Sequence, residues 1–261
     1  MSQTLHQRMI SYEDSNTHRI IRRIPLIIKI DGRSFSRTTQ NIQKPFCHKT
    51  MAMFNATMLA LAKQIDGAVF GYQYSDKIFL VLRNDRSEDE DPWFGNDIQS
   101  MCSTAASMAT YEFMNQLWEI DNPPNLEGSI AFKAKVFAVP NITEVINYII
   151  YQQYCCMQHS INETVCSVIG RRDILDGADL DARKKILDEA GISIENFPIS
   201  FRHGSASYLV PKLINTNQGE VTHHKWFLDF DIPLFVEKKD RDRLRTILST
   251  GSDIFKPERD L

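Results

Sequence analysis

Apolar positions along this chain fall into short runs and longer stripes of two different periods. Leu26-Ile27-Ile28-Lys29-Ile30 follows Pro25 and closes at Asp31-Gly32; a brief β-branched run of this kind predicts a buried strand ending at a turn. Arg22-Arg23-Ile24 before it reads as the exit from a helix. Over residues 46–65, Met51, Phe54, Met58, Leu61, Ala62 and Ile65 recur every three or four positions, the spacing of an amphipathic helix. Residues 68–72 and 77–82 bracket Gln73-Tyr74-Ser75-Asp76, so they predict a hairpin with polar residues at its tip. Helical spacing returns over residues 96–117 through Ile98, Met101, Cys102, Ala105, Met108 and Phe113, and residues 131–139 alternate up to Pro140 as a strand does.

The order strand, helix, hairpin, helix, strand suits an α+β fold: a ferredoxin-like palm domain with an antiparallel sheet and helices on one face. Beyond residue 140 the character changes. Asn141-Ile142-Thr143-Glu144 forms a capping-box signature, and the chain reads as mostly helical to about Leu187, with turn signals at Gly170 and Gly177. From Phe201 onward, Ser207-Tyr208-Leu209-Val210 and residues 225–230 predict short strands among loops, followed by a charged segment over residues 237–245. The expected organisation is a palm-like catalytic domain at 1–140 and a helical and small-strand region at 141–261 packed on it.

Composition narrows the classes. Of 261 residues, 43% are hydrophobic and 24% charged, which excludes a disordered chain. Lys and Arg number 30 against 33 Asp and Glu, a net charge of −3, so global charge does not draw this protein to nucleic acid, although a local basic patch would. The acidic stretch of residues 86–92 reads as a solvated loop. Five cysteines without paired spacing predict reduced thiols and neither a disulfide framework nor a structural zinc site. No apolar run is long enough for a membrane span and the first residues are polar, so the expected location is the cytoplasm and no membrane partner is expected.

Candidate chemistry centres on two carboxylates. Asp31 ends the first strand and Asp76 sits at the hairpin tip, positions that fall on neighbouring strands of a palm-type sheet. Like charges this close repel unless a cation separates them, and hard oxygen ligands suit Mg²⁺ with substrate phosphates. The Gly32-Arg33-Ser34-Phe35-Ser36 turn offers backbone N–H groups to a triphosphate. Taken alone, an Asp-Gly at a strand end is also an ordinary turn and a hairpin-tip Asp an ordinary solvated residue.

The segments Ile28-Lys29-Ile30-Asp31-Gly32-Arg33-Ser34-Phe35, Lys44-Pro45-Phe46 and Gly71-Tyr72-Gln73-Tyr74-Ser75-Asp76 together resemble the tRNA(His) guanylyltransferase family, especially its shorter Thg1-like branch of 3′–5′ nucleotidyltransferases. The resemblance continues through Trp93-Phe94, residues 101–109, Ala134-Lys135-Val136-Phe137 and Arg202-His203-Gly204-Ser205, and so spans residues 5–235. It implies a palm-like enzyme adding GMP from GTP to the 5′ end of a tRNA or similar RNA, and leaves ATP as a candidate for activating that end. Asp31, the Gly32 carbonyl and Asp76 would hold two Mg²⁺ ions. Residues Asp31, Gly32, Arg33, Ser34, Phe35 and Ser36, with Ser75 and Asp76, would surround the nucleotide, and Lys44 would place charge near phosphate. The family also implies a homotetramer, in which one subunit's basic surface holds the tRNA that another modifies.

The sequence departs from that family at several points. Lys77 follows Asp76 where the family has glutamate, Ser100 replaces a lysine, and Lys29 replaces an arginine. Tyr151-Gln152-Gln153-Tyr154-Cys155, then His159, stand where the family has a Trp-Arg-Gln-x-Asp stretch followed by Asn. Two alternatives therefore stay open: a nucleotide- or RNA-binding relative with little catalysis, and a palm-type nucleotide cyclase. Cys155, Cys156 and His159 read as packing residues rather than metal ligands, and His223-His224 as a surface turn. Arg171-Arg172 and Lys184-Lys185 read as solvated helix faces in preference to phosphate contacts. The methionines between Met101 and Met114 read as core or subunit interface.

Overall fold

The computed structural model describes residues 4–86, 91–170, 179–216 and 219–253, so most of the acidic 86–92 loop and the Arg171-Arg172 pair lie outside the described residues. Six strands form one antiparallel sheet in the order β4-β1-β3-β2-β5-β6: β1 (Leu26–Gly32), β2 (Ala68–Tyr74), β3 (Lys77–Leu82), β4 (Phe132–Ala138), β5 (Ser205–Thr216) and β6 (Gly219–Asp229). The palm-type α+β arrangement expected from the sequence is the one observed.

The continuous apolar character of β1 has a direct cause. Leu26, Ile27, Ile28 and Ile30 are all fully buried, because helices cover both faces of the sheet. On one face lie α3 (His48–Gln64) and α4 (Ile98–Glu119), whose stripes of Met53, Phe54, Met58 and Leu61, and of Met101, Ala105, Ala109 and Phe113, meet Ile28, Ile30, Ile78 and Leu80. The methionine at 101 is thus core. On the opposite face α5 (Ile142–Ile169) and α8 (Lys238–Thr250) bring Val145, Ile146, Ile149, Leu244 and Ile247 onto Phe70, Tyr72, Phe79 and Tyr208.

The helix α1 (Leu5–Asp14) is closed by a Thr4–Gln7 capping box and buries none of its residues. α2 (Phe35–Thr38) is a single turn after β1, α6 (Leu180–Glu189) packs beside α5, and α7 (Ile199–His203) leads into β5. Lys184 and Lys185 are exposed on α6, a solvated face. The tail differs from the short strands expected. β5 and β6 form a long ribbon whose inner end joins β2 through Phe70–Tyr208 and Gln73–Ser205, while pairing beyond Tyr208 is with β6. His223 and His224 therefore sit in a strand, exposed, opposite Lys212 and Pro211, and not in a turn. The charged segment is helical, starting α8.

Candidate active site

The end of β1 and the β2–β3 turn are bonded to each other. Gly32 N–H donates to the Asp76 carbonyl at 3.0 Å, and Asp31 lies in register between Lys77 on β3 and Lys133 on β4. Since Ile28 and Ile30 face α3 and α4, strand alternation directs Lys29 and Asp31 to the α5 side of the sheet. Each carboxylate carries a lysine: Lys77 Nζ stands 2.8 Å from Asp76 Oδ1, and Lys29 Nζ 3.5 Å from Asp31 Oδ1. Both carboxylates remain about a fifth exposed, at 22% and 19%.

Gly32 is required by close approach. A Cβ there would lie 2.7 Å from Phe35 Cδ2, and the Phe35 ring is held edge-on by Phe54 at 5.0 Å and Phe113 at 5.6 Å. Phe35 thus anchors the turn by packing. The turn itself is tight: Ser34 and Ser75 both adopt left-handed backbone, at φ 54° and 52°, a conformation that costs non-glycine residues energy and gathers at functional sites.

Between these turns opens a cleft of about 410 Å³. Gly32, Ser34, Phe35, Ser36, Ser75, Asp76 and Lys77 line one side; Lys44, Pro45 and Cys47, with Thr50 and Met51 of α3, line another. α5 also lines it, through Cys156, His159 and Glu163, with Ser200 and Phe201 of α7; the His159 ring stands 6.4 Å from that of Tyr74, the last residue of β2 before the β2–β3 turn. Of the residues expected at the site, Asp31 and Arg33 lie outside this lining. Arg33 is exposed, with its N–H donating to the Ala131 carbonyl at 2.8 Å. Ser100 is also absent from the cleft; its N–H caps α4 by donating to Asp97 at 2.8 Å.

Charge in the cleft is mixed. Lys44 Nζ lies 3.6 Å from Glu163 Oε2. Burial lowers the pKa of His159, and Lys77 and Lys44 add to that, against the opposing pull of Glu163 and Asp76; the ring is neutral at pH 7. Burial likewise pushes the Cys156 thiol up to about 12, which keeps it protonated and inert, as packing predicts. Tyr148 of α5 is pushed up to about 12, chiefly by burial and next by the Asp31 carboxylate. Gln152, at the position where the resemblance expected arginine, is buried and accepts from the Tyr74 hydroxyl at 3.2 Å.

Sequence reasoning missed the α5 wall. His159 and Glu163 were not placed at the site, although Cys156, His159 and Glu163 share one helix face by spacing, a polar stripe on a largely apolar helix. Among the described residues no group of three or more His, Cys, Asp or Glu side chains is placed to hold a metal. Two carboxylates and the Gly32 carbonyl are nevertheless hard oxygen donors on adjacent strand ends, a set that suits Mg²⁺, which keeps waters and takes its other ligands from phosphate. The lysines now supply the countercharge such ions would bring.

The tRNA(His) guanylyltransferase family model matches residues 6–140. tRNA(His) guanylyltransferase 2 of Arabidopsis thaliana is 23% identical over 194 residues, covering 70% of this chain, which spans 35% of that relative's length. A bacterial tRNA(His) guanylyltransferase-like protein in complex with ATP superposes with a TM-score of 0.79 at 26% identity, over 94% of this chain and 99% of that one. A bacterial tRNA(His) guanylyltransferase-like protein in complex with GTP superposes with a TM-score of 0.73 at 25% identity, over 94% of this chain and 99% of that one. No helix among the described residues is long and apolar enough to cross a membrane. With its palm sheet, its paired strand-end carboxylates and a family match over the whole of the first four strands, the chain belongs to the tRNA(His) guanylyltransferase family.

Proposed function

We propose that this protein transfers GMP from GTP to the 5′ end of a tRNA or similar RNA, extending it in the 3′-to-5′ direction. The observation that carries this reading is the Gly32 N–H bond to the Asp76 carbonyl, which fixes two carboxylate-bearing strand ends beside a cleft of nucleotide size. Bacterial relatives bound to ATP and to GTP support it.

Asp31, Asp76 and the Gly32 carbonyl would hold two Mg²⁺ ions, which when bound neutralise the developing charge of a phosphoryl transfer and activate the attacking oxygen. The backbone of Ser34, Phe35 and Ser36, with Ser75, orients the triphosphate, and Lys77 contributes positive potential. Lys77 moves from Asp76 to phosphate as the nucleotide enters. ATP is the candidate activator of a monophosphorylated 5′ end. The reading includes a homotetramer working in the cytoplasm, with the RNA held on the basic surface of a neighbouring subunit.

Incubation with labelled GTP, Mg²⁺ and a truncated or 5′-triphosphorylated tRNA is expected to lengthen the RNA at its 5′ end. Asp31→Asn and Asp76→Asn are each expected to reduce the product by about a hundredfold or more. Both carboxylates are partly exposed, so the variants stay folded. Undiminished product in either variant removes the two-metal assignment. The Lys77–Asp76 and Lys29–Asp31 ion pairs favour a second reading, nucleotide binding without turnover. It is the one that stands if wild-type protein binds GTP and leaves every RNA unchanged.

A further inference from the structure

Two chemically different groups line the cleft. The Ser34–Ser36 turn and Ser75 present small polar groups beside Asp76. α5 runs past that turn, with the His159 ring 6.4 Å from the Tyr74 ring, and one helical turn further on it presents the Glu163 carboxylate, only 12% exposed, with Lys44 Nζ 3.6 Å from its Oε2. A triphosphate carries several negative charges and is repelled by a carboxylate that has no metal between them. The phosphates therefore belong at the turns, whose carboxylates would carry the metals, and the base belongs against Glu163.

We propose that Glu163, with Lys44 beside it, reads the base of the incoming nucleotide and selects guanine. This rests on the nucleotide-transfer reading above and names the residues that set its substrate. A carboxylate accepts two parallel N–H bonds, and guanine offers two side by side, N1–H and the 2-amino group, with O6 next to them as acceptor for an ammonium. Adenine offers one amino group on that edge, so one carboxylate oxygen goes without a partner in the base. Lys44 and Glu163 side by side thus match the guanine edge in order: donor at O6, acceptor at N1–H and at the 2-amino group. His159, one turn before Glu163 on the same α5 face, also lines the cleft and sits between Glu163 and the Asp76 turn in the helix order, its ring 6.4 Å from that of Tyr74. The pairing directs Lys44 toward α5, and this assigns it to the base in place of the phosphate.

The test is competition against a ribose-labelled GTP in the presence of Mg²⁺, with no RNA. Wild-type protein is expected to bind GTP about tenfold more tightly than either inosine triphosphate, which lacks only the 2-amino group, or ATP. Glu163→Gln, which keeps the shape but accepts only one such bond, is expected to bring the three affinities to within about threefold. Equal affinity of wild type for GTP and inosine triphosphate overturns the proposal without any variant, and so does a preference that survives Glu163→Gln. If Glu163→Gln binds all three nucleotides more tightly in an unchanged ratio, Glu163 is a latch on Lys44 and the base assignment falls. Failure of wild type to bind any triphosphate overturns the nucleotide-transfer reading itself, and this inference with it.

Discussion

Gly32 meets two demands at once, and alanine fails the second. Its N–H holds the Asp76 turn at 3.0 Å, and its missing side chain leaves room for the Phe35 ring, which a Cβ would meet at 2.7 Å. The ring cannot retreat, because Phe54 and Phe113 close on it edge-first. Gly32→Ala is expected to destabilise the protein by about 1–3 kcal/mol through overpacking and to weaken GTP binding, since the ring moves the turn with it. Urea unfolding and nucleotide titration check both; a variant unchanged in stability shows the ring to be mobile. A second residue reports through pH. The His203 carbonyl accepts from the Tyr72 hydroxyl at 2.7 Å, and its Nδ1 is buried without a partner. Burial lowers its pKa, Arg202 adds to that, and the backbone of Ile232, Glu195 and Asp231 oppose. In acid the unfolded chain takes up a proton that the folded imidazole resists, so stability falls as pH drops through the ordinary histidine value of about 6.5. Wild type is expected to lose melting temperature between about pH 7.5 and about pH 5.5. His203→Gln should lose less over that interval, and equal slopes would remove histidine 203 from the account.

At the scale of elements, α5 both braces the sheet and walls the cleft, and its start can be weakened without touching its site. Asn141 accepts from the Glu144 N–H at 3.0 Å, but the expected return bond is replaced by one from Asn147 to Glu144 at 3.0 Å. Asn141→Ala should cost about 1 kcal/mol of stability. Cys156, the first cleft residue of α5, lies about 22 Å further along the helix at 1.5 Å per residue, so GTP affinity should stay within error of wild type. A large loss of affinity would mean that the helix frays as one unit. The sequence made β1 to β4, α3 and α4 legible because each buries a full face, and burial imposes a period. The β5–β6 ribbon lacked that signal: beyond Tyr208 it pairs away from the rest of the sheet, and Pro211 and Lys212 break any alternation. The strand-end pair of the site was legible from Asp31-Gly32 and the hairpin tip. Glu163 was not, because one acid on a long helix looks like a solvated one until the tertiary fold sets it against Lys44.

On the whole molecule a net charge of −3 must be reconciled with a partner made of phosphates. The sheet register does this locally. Lys133 and Lys135 stand on β4, the edge strand, opposite Asp31 and Lys29, and both are exposed on the same side of the sheet as Asp31. Lys29 faces Lys135 directly, a like-charge pairing that weakens a sheet. Edge lysines also deter strand-to-strand aggregation, so their presence alone does not decide the matter. Salt dependence does. If both ammonium groups touch RNA phosphates, the double variant Lys133→Ala, Lys135→Ala should weaken tRNA binding and reduce the slope of log affinity against log salt by about 1.4 to 1.8, since each phosphate contact releases about 0.7–0.9 of a counterion. GTP affinity and melting temperature should not move, because both side chains are solvated and neither lines the cleft. A double variant with an unchanged salt slope would leave these lysines as edge guards and require the RNA to meet another surface.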